Sequence, residues 1–320
     1  MAKVSIIIPT YKGENNVLIA VRSAIQQKGD NSIEVIVVDD NGIGTEHQIA
    51  TEKVLKELID NNCIKYIKHE KNINGSAARN TGFKECTGEF IAFLDDDDYL
   101  FPSKISKQVK QLESLGKKYG VSTTAGFYVR KDGKGYIRKI KSPNNFLYNY
   151  LLDKNYFNTS ALVLRRSCIE TVNGFDESFR RHQDWEFCSR ALGKTKVCYI
   201  NEPLLIKYAE NRNIPTDVEM QIKQLDYFFE KMDAIWKELL STKQISEVKK
   251  FRYRQIFQSY VFSHKVVRGV FFLRSRNCTI VDMFFAFFGM IKFIIRRIFV
   301  GGKKVTFSYD EIRQLLELEK

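Results

Sequence analysis

A short apolar run that stops in four consecutive carboxylates constrains this chain more than any other stretch. It reads Glu89-Phe-Ile-Ala-Phe-Leu-Asp95-Asp96-Asp97-Asp98. The apolar part lacks polar alternation, as strands covered on both faces do, so it predicts a buried strand. The acids then stand at the strand's C-terminal end, where open α/β sheets bind their ligands. Four adjacent like charges repel and need compensation. A divalent cation with oxygen ligands, bridging protein carboxylates to substrate phosphates, would supply it. The other reading is a solvated acidic turn capping the next helix, because Asp is stabilising near a helix N-terminus. The run alone does not choose between them.

The flanking sequence extends the pattern. Val4-Ser-Ile-Ile-Ile-Pro9 predicts a buried strand closed by proline, with a loop at Thr10-Tyr11-Lys12-Gly13. Val17, Leu18, Val21, Ala24 and Ile25 follow helical spacing. Ile33-Glu-Val-Ile-Val-Val38 is a second strand and ends in Asp39 and Asp40. The next helix has Ile49, Val54, Leu55, Leu58 and Ile59 as its expected inner face. A third strand at 64–67 leads through turn chemistry at 72–75 into a helix carrying Arg79. After the acidic run, Pro102 opens a helix to about Leu115. Strand and helix alternate four times, which predicts a largely parallel sheet with helices on both faces. Thr10 and Tyr11, Asp39 and Asp40, and the acids at 95–98 would then share one rim. There is no Walker A sequence and no G-x-G-x-x-G. A metal on the carboxylates, assisted by Arg79, is the expected phosphate holder.

Composition narrows the partners. The formal charge is +13, which calls for nucleic acid, a membrane surface or a negatively charged substrate. The six cysteines are scattered without a C-x-x-C pair, and the four histidines are dispersed. This argues against zinc and a disulfide scaffold and suits a reducing cytoplasm. Met1-Ala-Lys-Val-Ser runs straight into the first strand, without signal-peptide architecture.

Four segments in order carry a resemblance. Val4-Ser-Ile-Ile-Ile-Pro-Thr-Tyr11, Val37-Val-Asp-Asp-Asn41, Asn74-Gly-Ser-Ala-Ala-Arg-Asn80 and Phe93-Leu-Asp-Asp-Asp-Asp98 resemble the successive signatures of family 2 glycosyltransferases. The resemblance is strongest from Val4 to about Leu115 and looser to about Tyr208. It implies a GT-A type, Rossmann-like α/β fold, a nucleotide-sugar donor (usually a UDP-sugar) and Mn²⁺ or Mg²⁺. Pro9, Thr10 and Tyr11 match the loop around the nucleobase, with Glu14 nearby. Asp40, with Asp39, matches the acid that hydrogen-bonds the base. Arg79 matches the arginine that reaches the acidic cluster and the diphosphate. Asp95 and Asp97 match the D-x-D pair, Asp97 as direct metal ligand and Asp95 closer to the ribose. Asp96 fills a donor-side position that is more often small or polar.

In the second half, Val121 to Val129 predicts a strand and Lys131 to Gly135 a hairpin turn. Phe146 to Leu152 predicts a short helix, and Thr159 to Leu164 another strand. A turn at Gly174-Phe-Asp-Glu177 precedes a helix beginning near Gln183. The segment resembles the family's acceptor-side motif, in which an acid, then Asp, then Trp supplies the catalytic base. Asp184 aligns with that base. Gln183 stands where the family often has Glu, and His182, Trp185 and Glu186 fall on the acceptor side. An inverting transfer needs one carboxylate to take the proton of the acceptor hydroxyl. The leaving nucleoside diphosphate needs none if metal and Arg79 stabilise it. The alternative for Asp184 is a helix N-terminal acid. The Q-x-x-R-W motif of processive synthases is absent, which points to single-sugar transfer. Asn211-Arg-Asn213 lies about where relatives place a donor-covering segment.

From about Val218 the pattern is helical, with Leu225, Phe228, Phe229, Met232, Ile235, Trp236 and Leu239 at three- and four-residue spacings. Basic and aromatic stretches follow at 249–254 and 266–276. The chain then reaches a segment at 279–300 whose unbroken apolar run is too short to span a bilayer. On a helical wheel Asp282, Lys292, Arg296 and Arg297 fall within one arc of about 140°. That predicts a helix lying in the membrane interface, its polar arc at anionic headgroups. An ordinary core helix is the alternative.

The expected organisation is a catalytic domain at 1–212, with a nucleotide-sugar half at about 1–115 and an acceptor half at about 116–212. A helical, basic, membrane-associating region follows at 213–320. The expected function is inverting transfer of a single sugar to a glycan or lipid-linked oligosaccharide in surface polysaccharide assembly. It would occur in the cytoplasm, peripheral to the inner face of the cell membrane, with an anionic membrane surface as partner through 249–304 and no nucleic acid. The alternatives are a nucleotidyltransferase acting on a sugar phosphate, and a non-catalytic relative that binds membrane or acidic glycan.

Overall fold

Runs of β-branched residues build the centre of the sheet. The computed structural model describes residues 2–129, 135–141, 144–155, 158–208 and 217–298, and these form two units, 2–208 and 217–298. In the first, β1 (Lys3–Thr10), α1 (Val17–Ile25), β2 (Ser32–Asp39), α2 (Glu46–Asp60), β3 (Lys65–Lys68), α3 (Gly75–Glu85) and β4 (Phe90–Phe93) alternate as the apolar spacing predicts. Val4, Ile6, Ile7, Ile8, Ile36, Val37, Val38 and all of β4 are fully buried, as strands covered on both faces must be. β1 pairs in parallel with β2 on one side and β4 on the other, and β3 extends the sheet beyond β2. Pro9 costs this ladder nothing. The Ile7 carbonyl accepts from Leu94 at 3.0 Å. Pro9, two residues on, faces the same side, where β4 has already ended.

The inner face of α2 differs from the expected one. Ile49 and Val54 are exposed, whereas Gln48, Thr51 and Leu55 are buried. Gln48 tolerates this because its Oε1 accepts from the Gly44 amide at 3.1 Å and its Nε2 donates to Glu52 at 2.7 Å.

The chain continues with β5 (Asp98–Leu100), α4 (Lys104–Leu115), β6 (Tyr119–Val129), β7 (Gly135–Arg138), α5 (Phe146–Leu151), β8 (Leu162–Arg165), α6 (Arg166–Thr171), α7 (Gln183–Lys194) and β9 (Lys196–Tyr208). The sheet order is β3-β2-β1-β4-β8-β6-β9-β5, with β7 beside β6. The parallel half is β1 to β4. Beyond β4 the pairs β4/β8, β8/β6 and β9/β5 are antiparallel, and β6/β9 is parallel. β6 and β7 pair antiparallel, with Val129 opposite Gly135. Most of the expected hairpin turn between them lies outside the described residues, as does the segment around Asn211. Residues 159–161, expected as strand, wind as a 3₁₀ turn. The Asn158 side chain causes this by accepting from the Ala161 amide at 3.0 Å.

The second unit holds α8 (Val218–Leu239), α9 (Thr242–Phe262), α10 (Val266–Ser275) and α11 (Ile280–Ile298). Asp217 caps α8, and Ser241 with Gln244 forms a capping box on α9. Trp236 is fully buried edge-on to Phe228, with centroids 5.4 Å apart. Among the described residues no helix is long and apolar enough to cross a membrane.

α11 corrects one expectation. Asp282 does not face outward with a polar arc. It is buried, 2.8 Å from Lys250 Nζ and 3.5 Å from Arg254 Nη1, both on α9, and it accepts from the Thr279 amide and hydroxyl. The two cations neutralise it, so it can turn inward.

Candidate active site

β4 ends in the acidic run and β5 begins with its last acid, so the two strand ends fold the carboxylates together. Oxygens of Asp95, Asp97 and Asp98 lie within 4.8 Å of one another. Asp95 Oδ1 accepts from Arg79 Nη2 at 2.7 Å and Oδ2 accepts from Lys207 Nζ at 3.0 Å. The Asp95 amide donates to Ser160 Oγ at 3.1 Å. Burial works against the Asp95 charge, but Lys207 and Arg79 outweigh it and hold the carboxyl well below the usual range. Asp98 Oδ2 also accepts from Lys207 at 3.0 Å, while Asp98 Oδ1 is buried with no hydrogen-bond partner. Burial, reinforced by Asp97 and Asp95, pushes the Asp98 carboxyl up against the pull of Lys207.

This donor set fits a hard divalent cation: three carboxylates converge, one with an orphaned buried oxygen. Asp95 and Asp97 are the expected pair. Asp98 was not among the expected ligands, and Lys207 was not expected at all. Asp96 is not part of the cluster. Its Oδ2 accepts from Thr10 Oγ1 at 2.7 Å, and a Cβ on Gly13 would stand 1.9 Å from that oxygen. The extra acid therefore ties the β4 rim to the loop after β1, and only glycine fits beside it.

Arg79 is placed by α3 and by what packs on it. Asn74 caps the helix by accepting from the Ala77 amide at 3.0 Å. Asn80 exchanges two hydrogen bonds with the Phe175 backbone, at 2.8 and 2.9 Å, and donates to Glu177 Oε1. Phe175 in turn stacks on Phe187 of α7 at 4.0 Å and meets Phe93 of β4 edge-on at 5.1 Å. The Arg79 guanidinium lies 5.5 Å above the Phe175 ring. This aromatic stack fixes β4, α3 and α7 relative to one another. The guanidinium's Nη1 donates to Gln183 Oε1 at 3.2 Å, at the start of α7.

Asp184 follows Gln183. Burial lifts its carboxyl above the ordinary range; the Trp185 amide and Arg79 oppose this, and Asp95 adds to it. His182 adopts a left-handed backbone, φ 61°, and its ring stacks on Trp185 at 4.2 Å. Glu186 does not reach this surface. It is buried and paired with Arg190, which also donates to the Val172 and Gly174 carbonyls. That makes it a brace for α7.

The expected nucleobase side is tightly bonded within itself. Asp39 accepts from Tyr66 Oη at 2.5 Å and from the Asn41 amide and side chain at 2.9 and 2.8 Å. Asp40 accepts from the Ile73 amide at 2.9 Å and from Asn72 Nδ2 at 2.8 Å, and its Oδ1 lies 2.7 Å from His69 Nδ1. Burial raises both carboxyls. Lys12, φ 53°, donates its amide to Asn41 Oδ1 at 2.7 Å, which holds the loop carrying Thr10 and Tyr11 against the end of β2. Tyr11 is exposed beneath Lys12, and Glu14 pairs with His47 at 2.9 Å.

An α/β sheet of this order, with acids at the end of its central strand, is the GT-A transferase fold. Staphylococcus aureus TarS 1–349 in complex with UDP superposes with a TM-score of 0.53 at 17% identity, over 80% of each chain. The mannosyltransferase PcManGT of Pyrobaculum calidifontis, in complex with GDP-Man and Mn²⁺, gives 0.55 at 15% identity, over 99% of this chain and 84% of its own. The glycosyl transferase family 2 model matches residues 5–171, more than half of the chain, which therefore belongs to that family. Relatives include the amylovoran biosynthesis glycosyltransferase AmsB of Erwinia amylovora, 27% identical over 62% of this chain and 67% of AmsB. The Escherichia coli UDP-Glc:α-D-GlcNAc-diphosphoundecaprenol β-1,3-glucosyltransferase WfgD is 28% identical over 62% of this chain and 73% of its own. An uncharacterized glycosyltransferase of Rickettsia felis is 29% identical over 74% of this chain, which spans only 38% of that relative.

Proposed function

We propose that this chain moves one sugar, with inversion, from a UDP-sugar to a hydroxyl of a glycan or lipid-linked oligosaccharide. One observation carries the reading. The Arg79 guanidinium spans from Asp95 on the acidic rim to Gln183, the neighbour of Asp184. It joins the cluster suited to a diphosphate complex to the carboxylate assigned as base.

In the proposed step the acceptor oxygen bonds to the anomeric carbon. The bond from that carbon to the diphosphate oxygen breaks, and its electron pair leaves with the nucleoside diphosphate. The acceptor proton passes to Asp184, whose raised carboxyl is a stronger base than an ordinary aspartate. Attack opposite the leaving group inverts the carbon. Arg79 and Lys207 place two cations beside the rim where negative charge would develop. Mn²⁺ or Mg²⁺, held by Asp95, Asp97 and Asp98, would supply further charge stabilisation when bound. The stacked His182 and Trp185 rings offer an aromatic platform to an acceptor sugar. Pro9, Thr10, Tyr11 and Glu14 line the nucleobase side, with Asp39 and Asp40 as its braced floor.

Several relatives support the finer parts. TarS is known in complex with UDP, and WfgD is a UDP-glucose transferase acting on a diphosphoundecaprenol-linked sugar. A β linkage is what inversion of an α-linked nucleotide donor gives. AmsB serves the biosynthesis of a polysaccharide, amylovoran. Residues 1–212 would carry the transfer and 213–320 the approach to a membrane-borne acceptor at the inner face of the cell membrane. The test is product analysis with UDP-sugars and a polyprenyl-diphosphate-linked sugar. The expected products are UDP and a single β-linked addition. Release of pyrophosphate would identify a nucleotidyltransferase instead.

A further inference from the structure

α11 carries its amphipathic pattern inside out. At 100° per residue, Phe287, Ile280, Ile291, Phe284, Phe288, Val281 and Phe285 occupy one arc of about 160°. All seven are exposed; Phe284, Phe285 and Phe288 are 66%, 55% and 56% accessible. Over 280–291 no polar residue interrupts that arc. The opposite side, with Asp282 and Ala286, is buried, and Asp282 is clasped by Lys250 and Arg254 of α9. A helix built to fill a core would do the reverse.

α10 shows the same bias. Gly269, Phe272 and Leu273 are buried, and a Cβ on Gly269 would meet Phe257 of α9 at 2.9 Å. Val267 and Phe271 are exposed, flanked on the wheel by exposed Arg274 and Arg268. Residues 263–291 contain four Lys and Arg, of which Lys265, Arg268 and Arg274 are exposed and Arg276 pairs with Asp226, and one acid, the buried Asp282. Solvent therefore meets rings and aliphatic groups bordered by cations, with no outward acid among them.

We infer that α10 and α11 are the face on which this chain lies against an anionic lipid membrane, with the Asp282 clasp holding the α11 rings outward. An apolar face bordered by the exposed Lys265, Arg268 and Arg274 matches acyl chains beneath anionic headgroups. A second copy of the chain fits less well, because a two-fold contact sets the same cations against each other. α11 rests along the interface, since no described helix is long and apolar enough to cross it. The inference deepens the acceptor half of the function proposed above and rests on it only for the membrane-borne acceptor.

The experiment is vesicle flotation of the full chain, with phosphatidylcholine alone and with an equal mixture of phosphatidylcholine and phosphatidylglycerol. The wild type floats with the mixture and at least tenfold less with phosphatidylcholine. The triple variant Phe284→Ser, Phe285→Ser, Phe288→Ser loses flotation, and Arg268→Glu with Arg274→Glu loses most of it. UDP binding, measured on the same samples, stays at the wild-type value and shows that the variants are folded. Flotation retained in the triple variant, or absent in the wild type, overturns the inference. So does a wild-type dimer in sedimentation that the triple variant abolishes. Failed flotation with intact UDP binding removes the docking face and leaves the transfer reading standing; the converse removes the transfer reading alone.

Discussion

Lys207 on β9 stands directly across the antiparallel ladder from Asp98 on β5, with its amine 3.0 Å from Asp98 Oδ2. The same amine is 3.0 Å from Asp95 Oδ2. One side chain thus occupies two carboxylates that a divalent cation would also use. Without it, a fully buried carboxylate would have no countercharge.

Lys207→Met should therefore lose stability in metal-free buffer, by about 2 kcal/mol, as expected when one partner of a mostly buried pair is removed. Mn²⁺ should recover most of that loss, because a ligand bound only by the folded state stabilises it. Thermal melts with and without Mn²⁺ check this. Equal melts for wild type and variant in metal-free buffer would contradict it.

Asp184→Asn should lower kcat by about a hundredfold or more, the usual loss for a general base, with UDP affinity unchanged. In the proposed step the deprotonated carboxylate is the active form. Since burial raises its pKa, kcat/KM should fall on acidification at a pH above the ordinary aspartate value. A pH–rate profile on both proteins measures the two effects.

Arg79→Lys should behave almost as badly as Arg79→Met. A lysine amine is a point charge and cannot reach Asp95 and Gln183 in the forked geometry that the guanidinium holds. The expected loss in UDP affinity is about tenfold for both, by calorimetry with Mn²⁺.

Lys104 offers a stability test away from the site. Its amine is fully buried with no hydrogen-bond partner, and burial pushes its pKa down to about 7. The unfolded chain keeps the ordinary lysine value, so it binds more protons than the folded one between these values. The penalty is full below about pH 7 and fades as pH rises towards 10. Lys104→Met should be more stable than wild type by on the order of 3 kcal/mol at pH 6, with the gap closing at alkaline pH. Denaturant melts across pH show this, and a gap independent of pH would contradict it.

What the sequence made legible was local. Ile6 to Ile8, Ile36 to Val38 and Phe90 to Phe93 are unbroken apolar runs, and each is a buried strand where the pattern put it. The helix bearing Asp184 begins at Gln183 as its spacing predicts. The rest depended on distant partners. β5 is three residues long and has no period to read; it exists because β9 pairs with it from more than a hundred residues away. Lys207 looks like a surface lysine until that register places it opposite Asp98. Asp282 looked like part of a polar face because cations on a preceding helix are invisible to a helical wheel. Glu186 looked like a site acid because Arg190, one turn on, had not yet been joined to the Val172 and Gly174 carbonyls.

The most direct test of the central claim is calorimetric titration of UDP, with GDP as control, with and without Mn²⁺, into wild type and Asp97→Asn. The account predicts UDP binding that Mn²⁺ strengthens in the wild type and no longer strengthens in the variant, with GDP weaker throughout. UDP binding that is the same in both proteins with and without Mn²⁺, or no nucleotide binding at all, would contradict the assignment of the acidic rim as a metal-assisted donor site.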